Sequence, residues 1–260
     1  MIPYVYLPAW GLCVGIAVLV GMWFADVRAR QLALPPSAVA EALTIGIGGA
    51  FVFAHVFEVA AYRGDRVLAE PALLIDPRYG WSVSSFGGFF GGAIAVAAWA
   101  RIRRVHALPF FDSFAFGLAP AWILGRLGCF SVHDHVGRAT DFFLAVRFPG
   151  GARHDLALYE VLLAGALTCG FLFAGRRRRP VGTYVVAACM VYAPVRFALD
   201  FLRATDVVGA EPRWLGLTPG QYSAVVVLAL GLVAHARAAR SGATRDEPPT
   251  TAMASTMPAG

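Results

Sequence analysis

Residues 158–179 read LYEVLLAGALTCGFLFAGRRRR, an apolar run opened by Tyr159 and Glu160 and closed by the four arginines Arg176–Arg179. A helix needs about 20 predominantly apolar residues to cross the hydrocarbon core of a bilayer. Arginines packed tight against its end mark the cytoplasmic side. The same kind of run recurs along the chain: Leu7–Ala25, Leu43–Tyr62, Ser85–Ala100 and Phe111–Phe130 precede Leu158–Ala174, and Gly182–Leu202 and Gln221–Ala238 follow it. The breaks between runs are Leu34-Pro35-Pro36-Ser37, Arg101-Ile102-Arg103-Arg104, the polar stretch from Ser131 to Asp155, and Arg176–Arg179. The expected fold class is an all-α polytopic membrane protein of about seven transmembrane helices.

The composition excludes the soluble alternatives. Of 260 residues, 58% are apolar and only 15% charged, against about 45–50% and about 25% in ordinary soluble domains. Mean hydropathy is +0.63. All 22 basic residues are arginine and the formal net charge is +6, a balance that would suggest nucleic acid in a soluble chain. Here the arginines fall in short loops between apolar runs, so they set orientation and no nucleic-acid partner is expected. Twelve of them cluster in the first, third and fifth connections and the tail: Arg28, Arg30, Arg101, Arg103, Arg104, Arg176 to Arg179, Arg237, Arg240 and Arg245. This places the N-terminus outside, the tail in the cytoplasm, and the long second, fourth and sixth connections outside. The stretch MIPYVYLPAWGLCVGI lacks a charged leader and a small-residue cleavage site before Cys13, so the first run is expected to stay as a span. Residues 1–240 form the membrane domain, and 241–260, rich in Pro, Thr, Ser and Ala, an expected disordered tail. Cys13, Cys129, Cys169 and Cys189 contain no C-x-x-C pair and indicate neither a zinc ribbon nor a disulfide framework.

Charged residues inside spans cost about 2.5–3.5 kcal/mol each on insertion scales and need compensation. Arg196 and Asp200 share a helix face at i, i+4, just after Pro194. They form either an internal ion pair or an anion site whose acid orients the guanidinium. Arg126 lies between Gly125 and Gly128, where a planar guanidinium can approach a phosphate bidentately. The segment His133-Asp134-His135 follows, with His154 and Asp155 downstream. On extended backbone an H-x-H pair points both rings one way and could hold a metal, but general acid/base work near a membrane phosphate is the better fit. Gly87 and Gly88 in the third span allow close helix contact or close approach of a ligand. His55 and Glu58 read as a structural pair, and Thr218-Pro219-Gly220-Gln221 as a capped helix start.

Taken together, these motifs resemble the bacterial prolipoprotein diacylglyceryl transferases. Gly125, Arg126, Gly128, Phe130 and Gly137 agree with the family signature Gly-Arg-x-Gly-Asn-Phe-x-Asn-x-Glu-x-x-Gly. Arg153-His154 before Leu158-Tyr159-Glu160, Arg196-Phe197 with Asp200, Leu217–Gln221 and Ser85-Phe86-Gly87-Gly88 fall in the family's order. The resemblance implies a multi-pass protein of the bacterial inner membrane. It implies transfer of diacylglyceryl from phosphatidylglycerol to the lipobox cysteine in the signal peptide of a preprolipoprotein, amid membrane lipids and with no cofactor or metal. Arg126 and Arg196 would neutralise the departing phosphate, Asp134 and Asp200 would orient them, and His133, His135 or His154 would take the thiol proton. Trp10, Gly87, Gly88, Gly125, Gly128, Cys129, Gly137, His154, Tyr159 and Glu160 complete the expected substrate-binding set.

The chain also departs from the pattern. Cys129 and Val132 replace the two asparagines of the signature, Asp134 shortens its acid, Phe86 replaces a histidine proposed as the family's base, and Trp10 replaces a tyrosine. Three readings follow: one of the new histidines serves as base; the protein is a non-catalytic relative that binds lipid or signal peptide; or it is a lipid hydrolase or phosphotransferase on the same scaffold.

Overall fold

A computed structural model describes residues 9–74, 83–208 and 210–240. The chain forms α1 (Ala9–Gln31), α2 (Pro36–Tyr62), the short α3 (Gly64–Ala69), α4 (Ser85–Ile102), α5 (Leu108–Val132), α6 (Leu156–Ala174), α7 (Thr183–Leu199) and α8 (Pro219–Arg240). Seven of these, all but α3, are long and apolar enough to cross a membrane. The start of the run at Leu7 and the expected disordered tail 241–260 lie outside the described residues.

Each span matches an expected run, with ends shifted by local chemistry. The largest shift is in α2, which begins at Pro36 instead of Leu43. Proline lacks only an N–H that the first helical turn leaves unpaired anyway, and its fixed φ suits that turn. The Pro35-Pro36 pair therefore ends one connection and opens the next helix. At most a third of each span's most apolar stretch is buried. The outward faces stay apolar, as Trp23 at 62% exposure and Phe173 at 69% illustrate, which suits hydrocarbon and not water.

Inside the bundle α1 packs on α5, α2 on α4, α5 on α6 and α7, and α7 on α8. Small residues make these contacts close. A Cβ added at Gly87 would lie 2.6 Å from the Phe53 carbonyl oxygen, and one at Gly128 3.0 Å from Cys13 Cβ. Helix packing thus accounts for both glycines.

The connection from Ser131 to Asp155 is more ordered than the sequence suggests. It carries β1 (Val136–Ala139), β2 (Val146–Phe148) and β3 (Gly151–Asp155), an antiparallel sheet in the order β1-β3-β2. Strands of three to five residues are too short to show alternation among polar neighbours. Gly150 and Gly151 turn β2 into β3 with φ of +96° and +129°, a region other residues avoid. On its other edge β1 bridges Gly137 to Arg203, and Ala204 N–H donates to Val136 O at 3.2 Å, so the sheet is tied to the connection between α7 and α8. β3 runs straight into α6, whose N-terminus Asp155 caps by accepting from the Ala157 and Leu158 N–H groups.

At the opposite end of the bundle Arg28 and Asp112 form a fully buried pair at 2.8 Å. Arg28 also donates to the carbonyls of Arg179 and Pro180, and Asp112 accepts from the Tyr184 and Val185 N–H groups. This knot joins α1, α5 and the start of α7.

Candidate active site

The sheet end gathers the C-terminal parts of α5 and α7 and the N-terminal parts of α4, α6 and α8. Helix dipoles favour cations at C-termini and anions at N-termini. Arg196 follows that rule in the last turn of α7, whereas Arg126 lies in the turn before the last of α5 and Glu160 in the second turn of α6, so their placement is set by each other.

Glu160 is fully buried between the two arginines. Its Oε2 lies 3.0 Å from Arg126 Nε and its Oε1 3.5 Å from Arg196 Nε. Tyr192 Oη donates to Oε2 at 2.9 Å. Tyr192 sits one turn before Arg196 on the same face of α7, so helical spacing alone delivers both groups to one carboxylate. The approach of the guanidinium Nε atoms is off the hydrogen-bond line, so Arg126 Nε, Arg196 Nε and Glu160 Oε1 are buried without a hydrogen-bond partner. Such orphaned donors are uncommon in a finished interior and call for a cause.

Arg196 pairs with Asp200, which also holds Arg203 at 3.1 Å, and Arg203 reaches Glu211 at 3.0 Å. Thr218 Oγ1 donates to Asp200 Oδ2 at 2.6 Å. Thr218 also completes a reciprocal cap on α8: the Gln221 N–H donates to its Oγ1, and Gln221 Oε1 accepts from the Thr218 N–H. A Cβ at Gly220 would come 2.6 Å from Asp200 Oδ2, so only glycine lets the α8 terminus sit against this pair.

Arg126 Nη2 donates to Ser85 Oγ at 3.2 Å, and its guanidinium stacks over Trp122 at 4.6 Å. Nη1 contacts His135 Nε2 at 2.8 Å and lies 3.9 Å from Cys129 Sγ. A guanidinium can only donate, so His135 Nε2 presents its lone pair and Nδ1 carries the proton toward Asp134. Burial pushes the His135 imidazole below its ordinary value, and Arg126 and Arg203 act in the same direction against the pull of Asp134. Burial alone would raise the Asp134 carboxyl, but the His135 hydrogen bond and the nearby positive charges hold it down.

A profile described as prolipoprotein diacylglyceryl transferase matches residues 2–237. The chain belongs to this family. It is 30% identical to a phosphatidylglycerol–prolipoprotein diacylglyceryl transferase of Chromohalobacter salexigens over 86% of this chain and 85% of that one. It is 31% identical to the protein of the same name from Mannheimia succiniciproducens, over 74% and 75% respectively, and 32% identical to that from Geobacter sulfurreducens, over 75% and 74%.

Set against the expected transferase-family site, the structure brings together Arg126, Asp134, His135, Glu160, Arg196 and Asp200. The orienting roles are distributed differently from the expectation. Glu160, expected only among the binding residues, is the acid that faces both arginines, whereas Asp134 turns to His135. Four residues had no assigned role in the sequence: Ser85, Trp122, Tyr192 and Arg203. The i, i+4 relation of Tyr192 to Arg196 was the available signal.

The H-x-H pair does not form. His133 caps α5 in the left-handed conformation at φ +51°, and its Nδ1 bonds Asp155 at 2.8 Å between Phe130 and Phe148. The backbone there is not extended, so the two rings take separate partners. His154 pairs with Tyr159 Oη at 2.6 Å, beside Phe142. Burial lowers the His154 imidazole, but no described contact joins it to the arginines. Trp10 backs Gly128, Gly137 lies against the His154 backbone, and a Cβ at Gly125 or Gly88 would meet no close neighbour under 3.8 Å. Phe86, in the place of the family's histidine, lies under Arg196 at 5.8 Å.

Proposed function

We propose that this chain transfers the diacylglyceryl group of phosphatidylglycerol to the lipobox cysteine of a preprolipoprotein, in the bacterial inner membrane and with the sheet end facing outward. The observation that carries this is the pair of buried guanidinium groups, Arg126 and Arg196, flanking one carboxylate to which their Nε–H donors make ion-pair contacts but no hydrogen bonds. A phosphodiester offers these guanidinium groups oxygens in hydrogen-bond geometry, in a dry site where such contacts are strong.

The lipobox sulfur attacks the glycerol carbon that bears the phosphate. A C–S bond forms as the C–O bond breaks, the electron pair leaves with glycerol phosphate, and the thiol proton passes to His135 Nε2. In the resting arrangement that lone pair is engaged by Arg126 Nη1. A phosphate oxygen that accepts from Nη1 releases it, so arrival of the lipid prepares the base. Asp134 keeps the Nδ1–H tautomer, the orienting role a carboxylate plays beside a catalytic histidine.

Complementation of a transferase-depleted bacterium tests the activity, and a purified assay with phosphatidylglycerol and a fluorescent lipobox peptide tests the roles. His135→Gln should lower transfer at least about tenfold, and Asp134→Asn should lower it by less, because the ring remains. Wild-type rates in His135→Gln would remove the imidazole from the mechanism. Lipid binding with no transfer under any condition would make the protein a non-catalytic relative.

Orientation is tested separately. Reporter fusions after Arg104 and Arg179 should read cytoplasmic, and one after Gly150 exterior. An exterior signal at Arg179 would invert the placement of the site.

A further inference from the structure

Cys129, Asp134 and His135 bring one ligating atom each to within 4.8 Å of one another. The cause is the left-handed His133, which ends α5 and turns the chain so that residues 134 and 135 return over the last helical turn. This is not the H-x-H pair expected from the sequence, since His133 is held by Asp155. A thiolate, an imidazole and a carboxylate form a mixed S, N, O set. Hard cations such as magnesium and calcium favour oxygen alone, whereas zinc accepts all three donors and commonly leaves a fourth position open. Two anionic ligands also balance a divalent charge.

A neutral imidazole has one in-plane lone pair, which His135 now offers to Arg126 Nη1 at 2.8 Å; a cation on Nδ1, the side where Asp134 lies, leaves the proton on Nε2 and ends that contact. Cation and guanidinium therefore compete for a single lone pair. Arg126 can yield it, because Glu160 Oε2 lies 3.0 Å from its Nε. We propose that Cys129, Asp134 and His135 form a binding site for a divalent cation of the zinc class, and that its occupation detaches His135 from Arg126 and silences transfer. The inhibitory half rests on the transfer reading above; the binding half does not.

The test uses full-length protein purified in detergent micelles and stripped with a chelator. Titration with cobalt should give one equivalent bound with a thiolate-to-metal charge-transfer absorption, displaced by zinc. That absorption should vanish in Cys129→Ser, binding should weaken at least about tenfold in Asp134→Asn and His135→Gln, and His133→Gln should bind as wild type. No thiolate absorption, or equal loss in His133→Gln, overturns the site. Protection of Cys129 from a maleimide by zinc, read by mass spectrometry on wild-type protein, is independent of how any variant folds. Labelling unchanged by zinc overturns the proposal as well. Zinc should reduce transfer to background and a chelator should restore it; stimulation by zinc would overturn the competition. If cobalt binds as described and no preparation transfers diacylglyceryl, the cation site stands and the transfer reading falls.

Discussion

Arg126→Lys and Arg196→Lys will each reduce transfer to a lipobox peptide by at least about tenfold, equivalent to about 1.4 kcal/mol of transition-state stabilisation. Both variants keep the charge that Glu160 needs, so the fold should survive. What they lose is the planar fork. Arg126 meets Ser85, His135, Glu160 and the Trp122 ring from one rigid group, and an ammonium on a flexible stem cannot reach these partners together. The Nε–H donors that Glu160 leaves without a hydrogen bond disappear at the same time. Rates measured on purified protein at saturating phosphatidylglycerol would check this, and wild-type turnover in both variants would exclude the arginines from the chemistry.

Glu160→Gln should have the largest effect on stability. The amide keeps the volume but leaves Arg126 and Arg196 buried on either side of a neutral group, and breaking a buried ion pair by removing one partner costs about 3–5 kcal/mol. Tyr192→Phe removes only one hydrogen bond to the same carboxylate and should cost about 1 kcal/mol. Thermal melting in micelles compares the two. If Glu160→Gln melted like wild type, the carboxylate would not be what holds the arginines together.

The spans were legible in the sequence because hydrocarbon imposes one crude requirement, length of apolar run, that no tertiary contact can override. The two arginines were legible for the converse reason: charge within such a run has to be explained. The site's connectivity was not. Nothing local tells Glu160 from an acid at the start of a helix, since its meaning comes from α5 and α7 converging on α6. The role of His133 depends on one residue's left-handed conformation, which separates it from His135 although only Asp134 stands between them. The sheet was hidden because strands of three to five residues are too short to alternate visibly, and its bridge from Gly137 to Arg203 reaches a distant connection.

The knot at the far end of the bundle constrains the order in which the chain assembles. Arg28 leaves the ribosome long before its partners, since Asp112 is 84 residues further on and the accepting carbonyls of Arg179 and Pro180 are 151 and 152 residues away. During that interval a guanidinium at the end of a nearly uncharged helix must stay at the lipid headgroups, because hydrocarbon offers it no acceptor. Asp112 on α5 can pair with it first, but the carbonyls of Arg179 and Pro180 that complete its contacts come only just before the sixth long apolar segment. A chain truncated before Tyr184 should therefore hold Arg28 with an Asp112 that lacks its own backbone donors, and its first helix should be less firmly latched than in the full chain.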